Sequence, residues 1–168
     1  FVTFLVTADK DMMQLVSDKV FMYSPGNSFK PTTIYDREKV KDKWGVGPEG
    51  IIDMLALVGD ASDNVPGIDG VGPKTALKLI NEYKTIESIL EHAENAGNKR
   101  VKNGLLNGRD LVFLSKELVT IDCEVPIEFH FEEFVRKEMD VKNLANMFQD
   151  LEMYSLIPRL NTLEETEP

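Results

Sequence analysis

Residues 59–76 read Gly59-Asp60-Ala61-Ser62-Asp63-Asn64-Val65-Pro66-Gly67-Ile68-Asp69-Gly70-Val71-Gly72-Pro73-Lys74-Thr75-Ala76. The Gly70-Val71-Gly72 core holds an apolar residue between two glycines, with a helix predicted from Pro73, the signature of a helix–hairpin–helix. Gly70 and Gly72 are expected to take positive φ and to bring backbone close to another surface without a Cβ in the way. Pro73 suits a first helical turn, because its missing N–H has no intrahelical partner there. The unpaired N–H groups of that turn, at the positive end of the helix dipole, then face outward toward an anion. Lys74 adds a full charge and Thr75 a hydroxyl. Such contacts with backbone phosphates position a duplex without reading its sequence. A tight turn joining two packed helices is the plainer alternative for the same residues.

Two acidic pairs flank this reading. Asp60 and Asp63 precede the hairpin, at a spacing that lets two carboxylates reach one point from a turn of helix. Asp9 and Asp11 close the opening apolar run, where an extended chain turns both side chains to one side at the carboxyl end of a strand. Oxygen ligands of this kind suit Mg²⁺ or Mn²⁺. Each pair also has an ordinary reading: Asp9 and Asp11 as the cap and first-turn acids of the next helix, Asp60 as the start of an Asx-turn and Asp63 as a cap.

Outward from the hairpin, the first 35 residues read as an α/β unit. Phe1 to Val6 is near-continuously apolar and predicts a strand buried on both faces of a parallel sheet. A short helix follows through Met12 to Val16, then strands at 20–23 and 32–35, separated by a turn at residues 24–27. From Asp36 onward the pattern is helical: Asp36 caps a helix closing at Gly45, and Pro48 starts one running to Gly59. Further helices are predicted after Pro73, at 85–93, at 99–106 and at 110–121. Leu111, Leu114, Leu118 and Ile121 form one face of the last. Ile127 to Phe131 predicts an edge strand, and Asp140 caps a helix bearing Val141, Leu144 and Phe148. The chain from Asn161 reads as linker. It opens on Phe1 rather than Met, and we read it as a piece of a longer protein, cut just before a buried strand.

Composition sets limits. The 168 residues are 42% apolar and 29% charged, which is globular. One cysteine, Cys123, allows no intrachain disulfide and reads as an inert thiol; no Cys/His cluster suggests zinc. No apolar run approaches the ~20 residues of a membrane helix, so a membrane role is excluded and an aqueous, reducing compartment expected. The net charge of −10 argues at first against a polyanionic partner, yet it is uneven. Residues 66–116 carry 8 basic and 6 acidic groups, whereas 117–168 carry 4 and 13. The middle is locally basic, with Lys99, Arg100 and Lys102 a possible contact for a phosphate strand. Trp44, Phe113 and Phe148 read as core, and His92 and His130 are too isolated to be ligands.

TADKD (Asp9, Asp11) and GDASDNVPGIDGVGPKTA (Asp60, Asp63, Gly67, Gly70, Gly72, Lys74), with the downstream FLSKELVTID (Phe113 to Asp122), together resemble the 5′-nuclease region of the bacterial DNA polymerase I family, relatives of flap endonucleases. The order and spacing match over nearly the whole chain. The resemblance implies an α/β remnant, a partial parallel sheet of a PIN or flap-nuclease-like fold, followed by a mainly α, SAM-like helix–hairpin–helix domain. It implies residues 1–46 as the end of the nuclease core, 47–125 as the DNA-binding domain, 126–160 as a returning segment and 161–168 as an acidic linker to a downstream polymerase domain. It also implies a bacterial cytoplasmic enzyme of DNA replication and repair that cuts 5′ flaps and removes RNA primers. Asp9, Asp11, Asp60 and Asp63 would hold one divalent ion. Gly67, Gly70, Gly72, Lys74 and Thr75 would meet DNA, and carbonyls near Gly67 and Val71 would hold K⁺. Family members carry further acidic ligands on strands before Phe1. The chain by itself is therefore expected to bind metal and duplex weakly and not to cut. The competing readings are a helix–hairpin–helix clamp without chemistry and an acidic protein-interaction domain.

Overall fold

The computed structural model describes residues 1–26 and 28–164, with side chains as far as 160. They divide into two compact units, Phe1–Glu124 and Val125–Pro168.

The first unit begins with a three-stranded mixed sheet in the order β1 (Thr3–Val6), β2 (Val20–Ser24), β3 (Thr33–Tyr35). β1 runs parallel to β2, Thr3 opposite Val20, and β3 returns antiparallel, Ser24 opposite Thr33. Only one of the two strand pairs is parallel, because β2 and β3 are joined by a short reversal rather than a crossover. The expectation that the opening run is buried on both faces is corrected. β1 is an edge strand paired on one side, and Phe4 and Val6 are exposed. The crossover from β1 to β2 carries a 3₁₀ turn, Lys10–Leu15, whose Met13 is buried and accepts the Trp44 indole N–H at its sulfur, 3.0 Å away.

The helices follow the expected caps. α1 (Arg37–Trp44) starts where Asp36 accepts the Lys39 N–H and stops at Gly45 in the left-handed region. A 3₁₀ turn opening at Pro48 leads into α2 (Ile51–Val58), apolar almost all round and hence the central helix. α2 packs against both α3 (Pro73–Tyr83) and α6 (Arg109–Val119). α4 (Ile86–Glu91), capped by Thr85, and α5 (Lys99–Asn107), capped by Asn98, complete the unit.

Two expectations about faces and strands fail here. On α6 the buried side chains are Val112, Ser115 and Val119, while Leu111, Leu114 and Leu118 are exposed. Both sets have helical spacing, and the leucines are the more apolar, so periodicity selects the wrong stripe. In the second unit, Ile127–Phe131 forms no strand; Phe129, Phe131 and Phe134 instead gather around a 3₁₀ turn (Phe131–Phe134), ring centres 5.2–6.2 Å apart. This unit also holds α7 (Val141–Asp150), capped by Asp140 as expected, and α8 (Ile157–Glu164). The linker expected from Asn161 is therefore helix as far as Glu164, and residues 165–168 lie outside the described residues, as does Asn27 of the predicted turn.

Candidate metal centre and nucleic-acid hairpin

The acids arrive from two segments. β1 ends at Val6, and Thr7 turns the chain so that its hydroxyl accepts the Asp9 N–H at 3.1 Å. Asp9 then caps the 3₁₀ turn, its carboxylate accepting the Asp11 N–H at 3.0 Å. Gly59, at φ 79°, ends α2 and redirects the chain into a turn that Asp60 and Val65 close by exchanging backbone hydrogen bonds of 2.9 and 2.8 Å. Asp60 and Asp63 thus converge from a closed turn, not from a turn of helix.

The structure brings Asp11, Asp60 and Asp63 together: each offers a carboxylate oxygen lying within 4.8 Å of the others'. Asp9 does not join this group and is exposed in its capping role. Asp60 is 5% exposed, and its Oδ1 accepts the Ser62 hydroxyl at 2.6 Å and the Ser62 N–H at 3.1 Å. Its Oδ2 meets the Lys10 ammonium at 2.5 Å. Asp11 Oδ1 is buried and accepts no hydrogen bond among the described residues.

The electrostatics separate the acids. The Lys10 contact, with the Ser62 hydroxyl, holds the Asp60 carboxyl at about 2. Burial, and then the neighbouring Asp9 charge, push Asp11 above the ordinary range. Asp60 is therefore a fixed anion, whereas Asp11 carries a charge that its surroundings oppose. A buried carboxylate oxygen with no donor, facing two further carboxylates, is the donor set that a hard divalent cation satisfies. The residues fit such an ion.

The hairpin is held from below. Ile68 N–H donates to Leu57 O at 2.9 Å, and Val71 N–H to Ile68 O at 3.0 Å. Gly67 lies so close to the end of α2 that a Cβ would collide with the Val58 carbonyl. Gly70 takes φ 81°, as expected, but Gly72 does not: at φ −95° it is the extended cap of α3. A Cβ on Gly72 would meet nothing within 4 Å, so what it leaves open is the space in front of the helix start. No side chain caps α3, and Pro73 and Lys74 are exposed while Thr75 is half-buried. The first-turn N–H groups keep the anion-facing potential expected of them.

Three residues support this geometry, of which only Arg100 was singled out by pattern, as a phosphate contact rather than as a partner of Asp69. Ser115, fully buried on α6, has its hydroxyl 2.5 Å from the Pro66 carbonyl and 2.9 Å from that of Leu111. Arg100 makes a two-point contact with Asp69, at 2.6 and 3.3 Å, and so cancels the one acid inside the hairpin. Lys116 bridges Asp53 on α2 (3.0 Å) and Glu87 on α4 (2.9 Å). The expected basic cluster is thus largely engaged, since Lys102 also pairs with Glu94. A polar residue at a core position of a helix was the only available signal for Ser115.

Residues 46–142 match the family model of the 5′-3′ exonuclease C-terminal SAM fold. The chain is 37% identical over 154 residues to DNA polymerase I of Bacillus subtilis (strain 168), covering 92% of this chain and 18% of that one. It is 38% identical over 161 residues to a 5′-3′ exonuclease of Aquifex aeolicus (strain VF5), covering 95% and 52%. Among solved structures, T5 5′-exonuclease with divalent metal ions (zinc) bound aligns with a TM-score of 0.63 at 25% identity, over 70% of this chain and 42% of that one. The chain therefore spans about a fifth of the polymerase and about half of the exonuclease. With the family model matching 97 of its 168 residues, the chain belongs to the 5′-3′ exonuclease family and carries its C-terminal SAM fold.

Proposed function

We propose that this chain is the metal- and duplex-binding half of a structure-specific 5′ nuclease of the kind carried by DNA polymerase I, acting on 5′ ends and flaps in DNA replication and repair. The observation that carries the reading is the convergence of Asp11, Asp60 and Asp63, with a buried Asp11 oxygen that accepts no hydrogen bond among the described residues. These three would hold Mg²⁺ or Mn²⁺, with Asp9 beside them as the cap that positions Asp11. In such sites one divalent ion generates a hydroxide nucleophile and a second, about 4 Å away, stabilises the leaving oxygen. The described residues supply carboxylates for one such station, which supports a chain that binds metal without cutting when alone.

In the same proposal Gly67, Gly70, Gly72, Lys74 and Thr75 meet the phosphates of duplex DNA, and the Gly67 and Val71 carbonyls hold K⁺. Residues 1–46 contribute the edge of the nuclease core, 47–125 the DNA-binding domain, 126–160 the returning segment, and the end of the chain leads toward a polymerase domain. The same proposal, from the likeness to bacterial DNA polymerase I, sets the protein in the bacterial cytoplasm. No helix among the described residues is long and apolar enough to cross a membrane.

Mn²⁺ titration followed by the paramagnetic resonance of the free ion tests the site. Asp60→Asn and Asp63→Ala should each weaken binding at least tenfold. Unchanged affinity in Asp9→Ala and Asp63→Ala would favour the clamp without chemistry. Cleavage of a 5′-flap substrate by this chain, lost in Asp60→Asn, would refute the statement about the isolated chain and support the nuclease reading.

A further inference from the structure

Lys10 stands between Asp9 and Asp11 in the sequence, and its ammonium reaches across to the second acidic segment. It lies 2.5 Å from Asp60 Oδ2 and 3.4 Å from Ser62 Oγ. Its side chain is 33% exposed, whereas that of Asp60 is 5% exposed. Asp60 Oδ2 is the inward oxygen of the cluster, and the ammonium is its partner in the ion pair. A divalent ion bonds carboxylate oxygen at about 2.1 Å, so an ammonium already 2.5 Å from that oxygen places a like charge beside the incoming ion and competes with it for the carboxylate.

We infer that Lys10 is the resident cation of the carboxylate site, which a divalent ion displaces from Asp60 Oδ2 before Asp11, Asp60 and Asp63 can share the ion. This rests on the metal-binding reading of the same site. The role suits lysine. A compact charge on a flexible four-carbon stem leaves by rotating its side-chain torsions, with no backbone movement, and a side chain one-third exposed has solvent to rotate into. The groups facing the ammonium are Asp60 by contact and Asp11 and Asp63 through space, the three that would hold the ion. While no ion is bound, Lys10 offsets the mutual repulsion of these carboxylates. When one arrives, the same charge opposes it.

Replacing Lys10 by a neutral side chain should therefore tighten metal binding while loosening the metal-free protein. In Lys10→Met, Mn²⁺ affinity is expected to rise about five- to tenfold, the scale of one partly solvated ion pair. The metal-free variant should melt below the parent chain and gain more from saturating Mn²⁺. Lys10→Arg, which keeps the charge, should bind Mn²⁺ like the parent. Lys10→Gln gives the same comparison if the methionine variant does not fold. Mn²⁺ affinity unchanged or weakened in the neutral variants overturns the inference. If the parent nevertheless binds Mn²⁺ and loses it in Asp60→Asn, the metal site survives that failure. If neither parent nor neutral variant binds, both readings fall.

Discussion

Ser115 shows how one hydroxyl can fix a loop that it does not belong to. Pro66 has a carbonyl to satisfy just as the chain leaves the Asp60 turn for the hairpin, and Ser115 meets it from α6 at 2.5 Å. Ser115→Ala should cost about 1–3 kcal/mol, since the carbonyl loses its donor in a buried setting. Urea unfolding measures the loss, and duplex affinity should fall with it. Gly70→Ala should cost about 1–2 kcal/mol, because φ 81° opposes a side chain and the new Cβ would lie 2.8 Å from Arg100 Cγ. Arg100 has a second use. Asp69 is the one acid in a hairpin read as meeting phosphate, and Arg100 holds its carboxyl below the usual range. Arg100→Ala should weaken duplex binding several-fold, and Arg100→Ala with Asp69→Asn should recover most of it, as fluorescence anisotropy of a labelled duplex would report.

Among the elements, α6 ties the unit together. Lys116 lies between α2 and α4, pairing with Asp53, which also accepts the Ile86 N–H at 3.1 Å. Burial works against the Lys116 charge, but the bonds to Glu87 and Asp53 outweigh it and raise its pKa above the ordinary 10.5. A raised lysine contributes stability that is fully present below about pH 10 and is lost as pH climbs past the folded value. Lys116→Met should therefore destabilise by about 1–2 kcal/mol at neutral pH, leaving Asp53 half-paired. The gap to the parent should close only in strong alkali, as parallel urea melts across pH would show. α6 also marks where sequence reading stops. Its limits, the caps of α1 and α7, the glycine ends of α1 and α2 and the helix start at Pro73 were legible, because each depends on neighbours within four residues. The φ of Gly72 and the supports that Ser115 and Arg100 give the hairpin were not. Which of the two stripes of α6 is buried was not, because that depends on where α2 and Pro66 lie. The same division runs through the site. The residue types, the pairing of the two acidic segments and the capping alternative for Asp9 were legible, whereas the arrival of Lys10 at Asp60 was not, since it is settled by side-chain rotation.

For the molecule as a whole, the uneven charge decides how DNA would be met. The basic and polar groups at the hairpin are few, and the acidic excess lies after residue 116. Duplex binding should consequently be weak and depend only mildly on salt. A logarithmic plot of affinity against salt concentration should slope at about −2 to −3, the mark of two or three phosphate contacts. A slope near −6 would mean a far broader basic face than the hairpin provides.

The two arms of the carboxylate site come from opposite sides of a long stretch of chain, Asp11 before β2 and Asp60 after α2. The hairpin and the carboxylate site both rest on distant chain: Ser115 reaches Pro66 across 49 residues, and Asp11 meets Asp60 over roughly fifty, so each carries the ordering cost of a long loop. Partial unfolding that opens this span would therefore separate Asp11 from Asp60 and Asp63 and dissolve the shared carboxylate site.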